Sequence, residues 1–377
     1  MAKSIVLHIN CNYIYTSLHQ LLVNELEQLG INNTVFVPVV MDAKPRIQIG
    51  KNVFVLYCLK HIDRYIYHYK QNKIFNVLKK QIILSNFNCI HAHTLFTDGG
   101  VAFKIKKMYG IPYIVAVRNT DLNFFLKYFF WLRPYGRKIL SEASAIVFLS
   151  PVYKEQLFDL YLSEEEKSVL SSKSYIIPNG IDSFWLNNEP SYKSDDEQII
   201  KCVYAGAINR NKNVLSTMKA CDILRKRGYE VEYSVIGKVE DQRVLSKLLK
   251  DGKVYYHPAI PKEELIHFYR CNDVFVMPSY AETFGLVYAE AMSQGLPIIY
   301  SKGQGFDQQF ADGMIGYSVK SDSPEDIAEK ILICYQKRKQ LFNECIGASK
   351  KFDWKKIAIY YKKLYDEIED KSCQRHI

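Results

Sequence analysis

The 377-residue sequence predicts an α/β protein made of two doubly wound parallel-sheet domains. Three observations carry that expectation. Short β-branched and apolar runs alternate with helical patterns from end to end, the arrangement of a parallel sheet covered on both faces. The alternation breaks once, at the turn-rich Pro178-Asn179-Gly180 and the polar stretch from Asn187 to Glu197, and then begins again. The length also suits two cores better than one, since domains commonly run ~100–200 residues.

Strands of the first domain are expected at Ser4 to Ile9, Val35 to Val39, Val53 to Tyr57, Cys89 to His93, Tyr113 to Val117, Ala145 to Ser150 and Tyr175 to Ile177. Between Thr16 and Leu29 apolar residues recur at helical spacing and stop at Gly30. Ser150-Pro151 reads as an N-cap followed by proline in the first turn. Strands of the second domain are expected at Ile199 to Ala205, Glu230 to Ile236, Val254 to His257, Val274 to Met277, Pro297 to Tyr300 and Tyr317 to Val319. Two long amphipathic helices follow, Pro324 to Lys350 and Trp354 to Glu369. The expected divisions are therefore 1–180, 181–350, and a C-terminal helix in 351–377 that crosses back to the first domain.

Fifty lysines and arginines against forty aspartates and glutamates leave a net charge of +10, which favours an anionic partner without naming it. Nine cysteines are scattered with no C-x-x-C and no metal-ligand spacing, as in a reducing compartment. The start, MAKSIVLHIN, lacks the long apolar stretch of a signal peptide, and no run reaches the ~18 apolar residues of a spanning helix. A cytoplasmic protein is expected. No D-x-D occurs, and Asp195-Asp196 falls in the polar linker, so no metal cofactor is expected.

In open doubly wound sheets ligands sit beyond the carboxyl ends of the strands, so chemistry is sought in the residues after each strand. The segment PSYAETFGLVYAEAMSQGLPII, from Pro278 to Ile299, follows such a strand. Gly285 permits close backbone approach, and a helix beginning near Phe284-Gly285 offers unpaired N–H groups and partial positive charge to a diphosphate. Glu282 precedes that anion site and Glu290 lies about a turn and a half beyond it, where each can accept hydrogen bonds from hydroxyls. The plainer reading is a helix-start carboxylate and a solvated helix residue. The surrounding strand, loop, glycine and helix weigh against it.

This segment resembles family 4 of the retaining GT-B glycosyltransferases, whose hallmark is a pair of glutamates separated by seven residues, here Glu282-TFGLVYA-Glu290. The resemblance implies two Rossmann-like domains facing across a cleft, the first on the acceptor side and the second holding a nucleotide-sugar donor. It implies Glu282 on hydroxyls of the transferred sugar, the backbone of Phe284, Gly285, Leu286 and Val287 on the sugar and diphosphate, and Glu290 on the ribose. YAGAINRNKNV, Tyr204 to Val214, matches the family's donor loop, with Gly206 in the loop and Lys212 in the lysine position. Ala207 stands where the family carries an arginine, and Arg210 is expected to supply that charge. Two cations there would stabilise the departing diphosphate. IIPNGID, Ile176 to Asp182, matches the interdomain crossover, and KGQGFDQQFADGMIGYSV, Lys302 to Val319, a glycine-rich loop.

In the first domain, HAHTLFTDGG from His91 to Gly100 resembles the segment that places a histidine at the cleft floor. His93 is preferred for that role. His91 shares its face by period-two alternation, so the preference rests on position along the strand. RNTD, Arg118 to Asp121, puts Asn119 where many members have a histidine. Asn119 can hydrogen-bond a sugar but is no general base; Arg118 suits an anionic acceptor or phosphate, and Asp121 completes the acceptor-side set. Asn12-Tyr13-Ile14-Tyr15-Thr16 replaces a glycine pair frequent in the family. For NFFLKYFFWLRPYGRK, Asn123 to Lys138, two readings stay open: a segment at the acidic inner face of the plasma membrane, near a lipid-linked acceptor, or an interior helix followed by a basic turn.

The function implied is metal-independent transfer of a hexose-type sugar, with retention, from a nucleoside-diphosphate sugar to a glycan or lipid-linked acceptor in surface polysaccharide or glycoconjugate assembly. Nucleic acid is not an expected partner, because it accounts for the charge and not for the glutamate pair. Two alternatives remain: a non-catalytic sugar- or nucleotide-binding subunit of a polysaccharide assembly complex, and a nucleotide-sugar epimerase of the same fold.

Overall fold

The computed structural model describes residues 4–192 and 198–373, so Asp195-Asp196 lies outside the described residues. The chain divides into two compact units, Met1–Gly180 with Trp354–Ile377, and Ile181–Asp353. The first unit holds strands β1 (Ile5–Ile9), β2 (Asn32–Val40), β3 (Val53–Leu59), β4 (Cys89–Ala92), β5 (Tyr113–Val117), β6 (Ala145–Phe148) and β7 (Ser174–Ile176). They form one parallel sheet in the order β3-β2-β1-β4-β5-β6-β7. Every residue of β4, β5 and β6 is buried, as both faces of a covered parallel sheet require.

The second unit holds β8 (Ile199–Ala205), β9 (Glu230–Ile236), β10 (Val254–His257), β11 (Val274–Met277), β12 (Ile298–Ser301) and β13 (Gly316–Val319). Their order is β10-β9-β8-β11-β12-β13, again parallel throughout. Each unit thus reverses strand order once, between β1 and β4 and between β8 and β11. Such a reversal leaves a crevice at the carboxyl ends of the two strands concerned.

Local chemistry explains where the elements begin and end. Ser150 caps its helix by accepting from the Tyr153 N–H at 3.4 Å, with Pro151 in the first turn. The helix Leu18–Gln28 starts later than its apolar spacing suggests. Before it, Tyr13–Tyr15 form a 3₁₀ turn that drives Tyr13 and Ile14 into a cluster with Val23, Val35, Val37 and Val39. The bulky loop after β1 is therefore anchored by its own small core. β2 starts three residues before the expected Val35, since the polar Asn33 is buried and satisfied by the His8 ring at 2.9 Å.

The final helix, Trp354–Cys373, belongs to the first unit. Trp354, Ile357, Ala358, Tyr361, Leu364, Tyr365 and Ile368 recur at helical spacing and bury against Val6, Leu22, Leu26, Ile114 and Val147. Gly180 sits against the Trp354 ring so closely that an added Cβ would lie 2.5 Å from it. Gly180→Ala is accordingly expected to destabilise the first unit by about 1–3 kcal/mol, the usual result of overpacking. Denaturant unfolding reads this directly, and a midpoint equal to that of the unmodified protein would show that the ring moves aside freely.

Candidate functional site

The second unit brings Lys212 and Glu282 together from opposite sides of its strand reversal. The ladder between β8 and β11 ends at Val203↔Phe275, two residues short of the end of either strand. Beyond that point the two following loops meet. The Lys212 Nζ donates to Glu282 Oε2 at 2.5 Å, and both side chains are largely buried.

Three residues that the sequence did not single out hold this pair. Asn211 stitches the loops together: its carbonyl accepts from the Tyr280 N–H at 2.8 Å, its Oδ1 accepts from the Ala281 N–H at 3.0 Å, and its Nδ2 donates to the Ala281 carbonyl at 2.9 Å. Asn213, buried and left-handed at φ 56°, donates to the carbonyls of Pro278 at 3.0 Å and Ser321 at 2.5 Å. From the glycine-rich loop, Gln304 Oε1 accepts from the Glu282 N–H at 3.0 Å, while the Glu282 carbonyl accepts from the Gly305 N–H at 3.0 Å. A Cβ on Gly305 would stand 1.8 Å from the Thr283 carbonyl oxygen, so only glycine lets the two loops close.

The helix Leu286–Ser293 begins four positions after Glu282, with Gly285 as its left-handed N-cap at φ 74°. A Cβ there would meet the Tyr288 ring at 2.5 Å. Leu286 and Val287 form the first turn, whose N–H groups have no intrahelical acceptors and face an anion favourably. Phe284 turns its ring into an aromatic cluster with Phe306 and Phe352, so its backbone is what remains for a ligand. Gly206 follows β8 in an extended positive-φ conformation, and the Tyr204 hydroxyl donates to the Ala207 carbonyl at 2.7 Å. Arg210, expected to supply the missing arginine charge, is instead engaged with Asp241: its exposed side chain pairs with that carboxylate at 3.2 Å.

Glu290 lies inside the same helix, and burial pushes its carboxyl up to about 7. Asp182 adds to the rise, and Lys262, itself paired with Asp182 at 2.5 Å, opposes it. The folded protein therefore holds this proton more tightly than the unfolded chain. Ionising Glu290 subtracts stability as pH climbs from the ordinary carboxylate range to about 7. If ribose hydroxyls donate to this carboxylate, nucleotide binding favours the ionised form, releases a proton near neutral pH and weakens as pH falls below about 7. Calorimetry in buffers of different ionisation heat should show that release in the native protein and its loss in Glu290→Gln. Equal release in both would assign the proton to another group, such as the nucleotide phosphate.

In the first unit three of the acceptor-side candidates, His93, Arg118 and Asp121, form one network after β4 and β5. The Asp121 carboxylate accepts from the N–H groups of Leu95 at 3.0 Å, Phe96 at 3.1 Å and Arg118 at 2.9 Å. Burial raises its carboxyl to about 6 against the pull of those donors and of Arg118. Asp121 thus braces the two loops. Arg118 Nε donates to the His93 carbonyl at 3.1 Å and a terminal nitrogen donates to Asn179 Oδ1 at 3.4 Å. Asn119 accepts from the Asn123 amide. His93 is buried, with Nε2 3.0 Å from His8 Nδ1. A further carboxylate, Asp98, accepts from the Cys11 N–H at 3.2 Å and the Thr94 hydroxyl at 3.0 Å, tying the loop after β1 to the helix Gly99–Tyr109.

The aromatic segment is not an interior helix. It consists of a π-helical turn Asp121–Leu126, a 3₁₀ turn Phe130–Leu132 and the helix Arg133–Glu142. Leu122, Leu126 and Leu132 point inward, whereas Phe124, Tyr128, Phe130 and Trp131 are exposed beside the exposed Lys127. No helix among the described residues is long and apolar enough to cross a membrane.

The chain is similar to known proteins in both sequence and fold. Residues 187–352 match the family model described as Glycosyl transferases group 1, and residues 20–183 match the one described as Glycosyltransferase Family 4. An uncharacterized glycosyltransferase of Methanocaldococcus jannaschii is 27% identical over 315 residues, covering 78% of this chain and 80% of its own length. A Bacillus subtilis protein provisionally named as a teichuronic acid biosynthesis glycosyltransferase is 23% identical, covering 83% of each chain. Among solved structures, Anabaena HepE in complex with UDP and glucose superposes with a TM-score of 0.67 at 14% identity, over 97% of this chain and 100% of that one.

Proposed function

The chain belongs to the family 4 glycosyltransferases and has their two-domain, Rossmann-like GT-B fold, and from that premise we propose that it moves a hexose-type sugar from a nucleoside-diphosphate donor with retention of configuration. The observation that carries this reading is the Lys212–Glu282 pair at the strand reversal, beside the helix start at Gly285. Diphosphate oxygens lie against the first turn of that helix and Lys212, so the charge that grows as the C1–O bond breaks meets fixed positive charge. Glu282 accepts hydrogen bonds from the sugar and sets its orientation. The acceptor oxygen bonds to C1 on the face the diphosphate leaves, and its proton passes to the departing phosphate oxygen. Lys212 and the helix dipole do the work of a divalent cation in this scheme, with Arg210 joining once it leaves Asp241.

Arg118 and Asn119 are the proposed acceptor-side contacts, with Asp121 and His93 holding their loops. The acceptor is a glycan or lipid-linked saccharide of surface polysaccharide assembly, a reading supported by the teichuronic acid relative. The exposed Phe124, Tyr128, Phe130 and Trp131 next to Lys127 suit an acidic membrane surface where such an acceptor resides. Co-sedimentation with vesicles containing acidic lipid should occur and should fall in a Phe130→Ser, Trp131→Ser double variant; no difference between the two proteins would remove the membrane role.

The donor assignment is tested by a thermal-shift screen against UDP, GDP, ADP, CMP and their sugar conjugates, with EDTA present. One diphosphate should raise the melting temperature by mass action. A shift that needs added Mg²⁺ or Mn²⁺ would overturn the metal-free part, and none under any condition would overturn donor binding.

A further inference from the structure

Four histidines crowd one face of the first unit's sheet, and two of their ring nitrogens, on His91 and His93, are buried without a hydrogen-bond partner. His8 on β1 stands opposite His91 on β4 in the ladder, and His93 lies two residues on, on the same face. All three are buried. A neutral imidazole has one donor and one acceptor nitrogen, so three rings need six partners. His8 uses both nitrogens, on Asn33 at 2.9 Å and on His93 at 3.0 Å, while His91 Nδ1 meets the Tyr365 hydroxyl at 2.7 Å. His91 Nε2 and His93 Nδ1 are buried without a hydrogen-bond partner. Orphaned polar atoms in a tightly packed interior are costly and call for an occupant.

The way the rings are held indicates which occupant. Asn33 fixes the outer nitrogen of His8, and Tyr365 fixes the outer nitrogen of His91, as partners behind metal-bound imidazoles do. One ring nitrogen from each of His8, His91 and His93 lies within 4.8 Å of the other two. Bond lengths of ~2.0–2.1 Å to a tetrahedral ion would place such nitrogens roughly 3.3 Å apart. The 3.0 Å contact between His8 Nδ1 and His93 Nε2 is already near that spacing, and the third nitrogen, on His91, has to come in from within 4.8 Å. A fourth imidazole, His19, stands with its ring centroid 4.8 Å from that of His93.

We propose that His8, His91 and His93 form a three-histidine site for one divalent transition ion of the zinc class. Such an ion ties β1 to β4 and, through Tyr365, to the final helix. It has no step in sugar transfer and does not depend on the donor assignment, which concerns the other unit.

The test uses full-length protein stripped with chelator, desalted, and exposed to Zn²⁺ or Co²⁺ alone. One equivalent of zinc should stay bound through gel filtration, and the melting temperature should rise by roughly 5–10 °C at a hundredfold excess over the dissociation constant. Co²⁺ should give the visible ligand-field bands of a tetrahedral nitrogen site. His8→Asn and His91→Phe should each abolish uptake, whereas His61→Ala, at an exposed histidine paired with Asp42, should leave it unchanged. Absence of stoichiometric uptake, or uptake surviving in both His8→Asn and His91→Phe, overturns the site and leaves a hydrogen-bonded histidine chain. Should those variants not fold, the Co²⁺ spectrum of the unmodified protein decides, an octahedral or absent spectrum counting against the proposal.

Discussion

Glu282→Ala is expected to lower the rate of sugar transfer by about 10²–10³-fold while the protein stays folded, the loss typical when one group aimed at a reacting centre is removed. The fold should survive because the Gln304 and Gly305 bonds that fix this loop are made to the Glu282 backbone. The lysine left behind keeps 22% of its side-chain surface exposed, so water can solvate it. Steady-state turnover of the purified variant, alongside its thermal melt, separates lost chemistry from lost structure. Turnover equal to that of the unmodified enzyme would remove Glu282 from the reaction and leave the motif a packing feature.

Lys212→Ala should weaken nucleoside-diphosphate binding by about 10–150-fold, the equivalent of one charge-assisted hydrogen bond of ~1.5–3 kcal/mol. The substitution also takes the Lys212 charge away from the Glu282 carboxylate, which then repels the phosphates. Titration calorimetry measures the loss, and combining it with Glu282→Ala should partly restore affinity, because the two side chains are directly paired. Arg210→Ala offers a contrast: that side chain is 73% exposed and held by Asp241, so the effect on binding should be smaller. Affinity unchanged in Lys212→Ala would move the phosphate site away from this loop.

The strand pattern was legible because a parallel sheet buried on both faces needs continuous apolar runs. β5 and β11, buried throughout, coincide end to end with such runs, and β8, β9 and β10 also keep their expected bounds. Glu282 and Lys212 were legible from the motifs around them. The residues that bring them together were not, since Asn211 and Asn213 act on a loop about seventy positions away and Gln304 on one twenty-two positions away. Their one local signal is the alternation of asparagines at 209, 211 and 213 just before a helix, a pattern of side chains that bond backbone. Arg210 shows the opposite limit: its charge was readable, but the Asp241 partner that turns it outward was not. Period two placed His91 and His93 on one face, whereas His8, Asn33 and Tyr365 join them through strand pairing and the packing of the last helix.

That last helix also dictates the order in which the protein can be completed during synthesis. The face of the first sheet carrying Val6, Ile114 and Val147 is covered by side chains from Trp354 onward. Strands β1 to β7 therefore leave the ribosome before the helix that covers them and wait for it, while everything from Ile181 to Asp353 is already in hand and can fold. The N-terminal half is the last to be sealed, and a chain cut short before Trp354 keeps an oily sheet open however complete its second unit is.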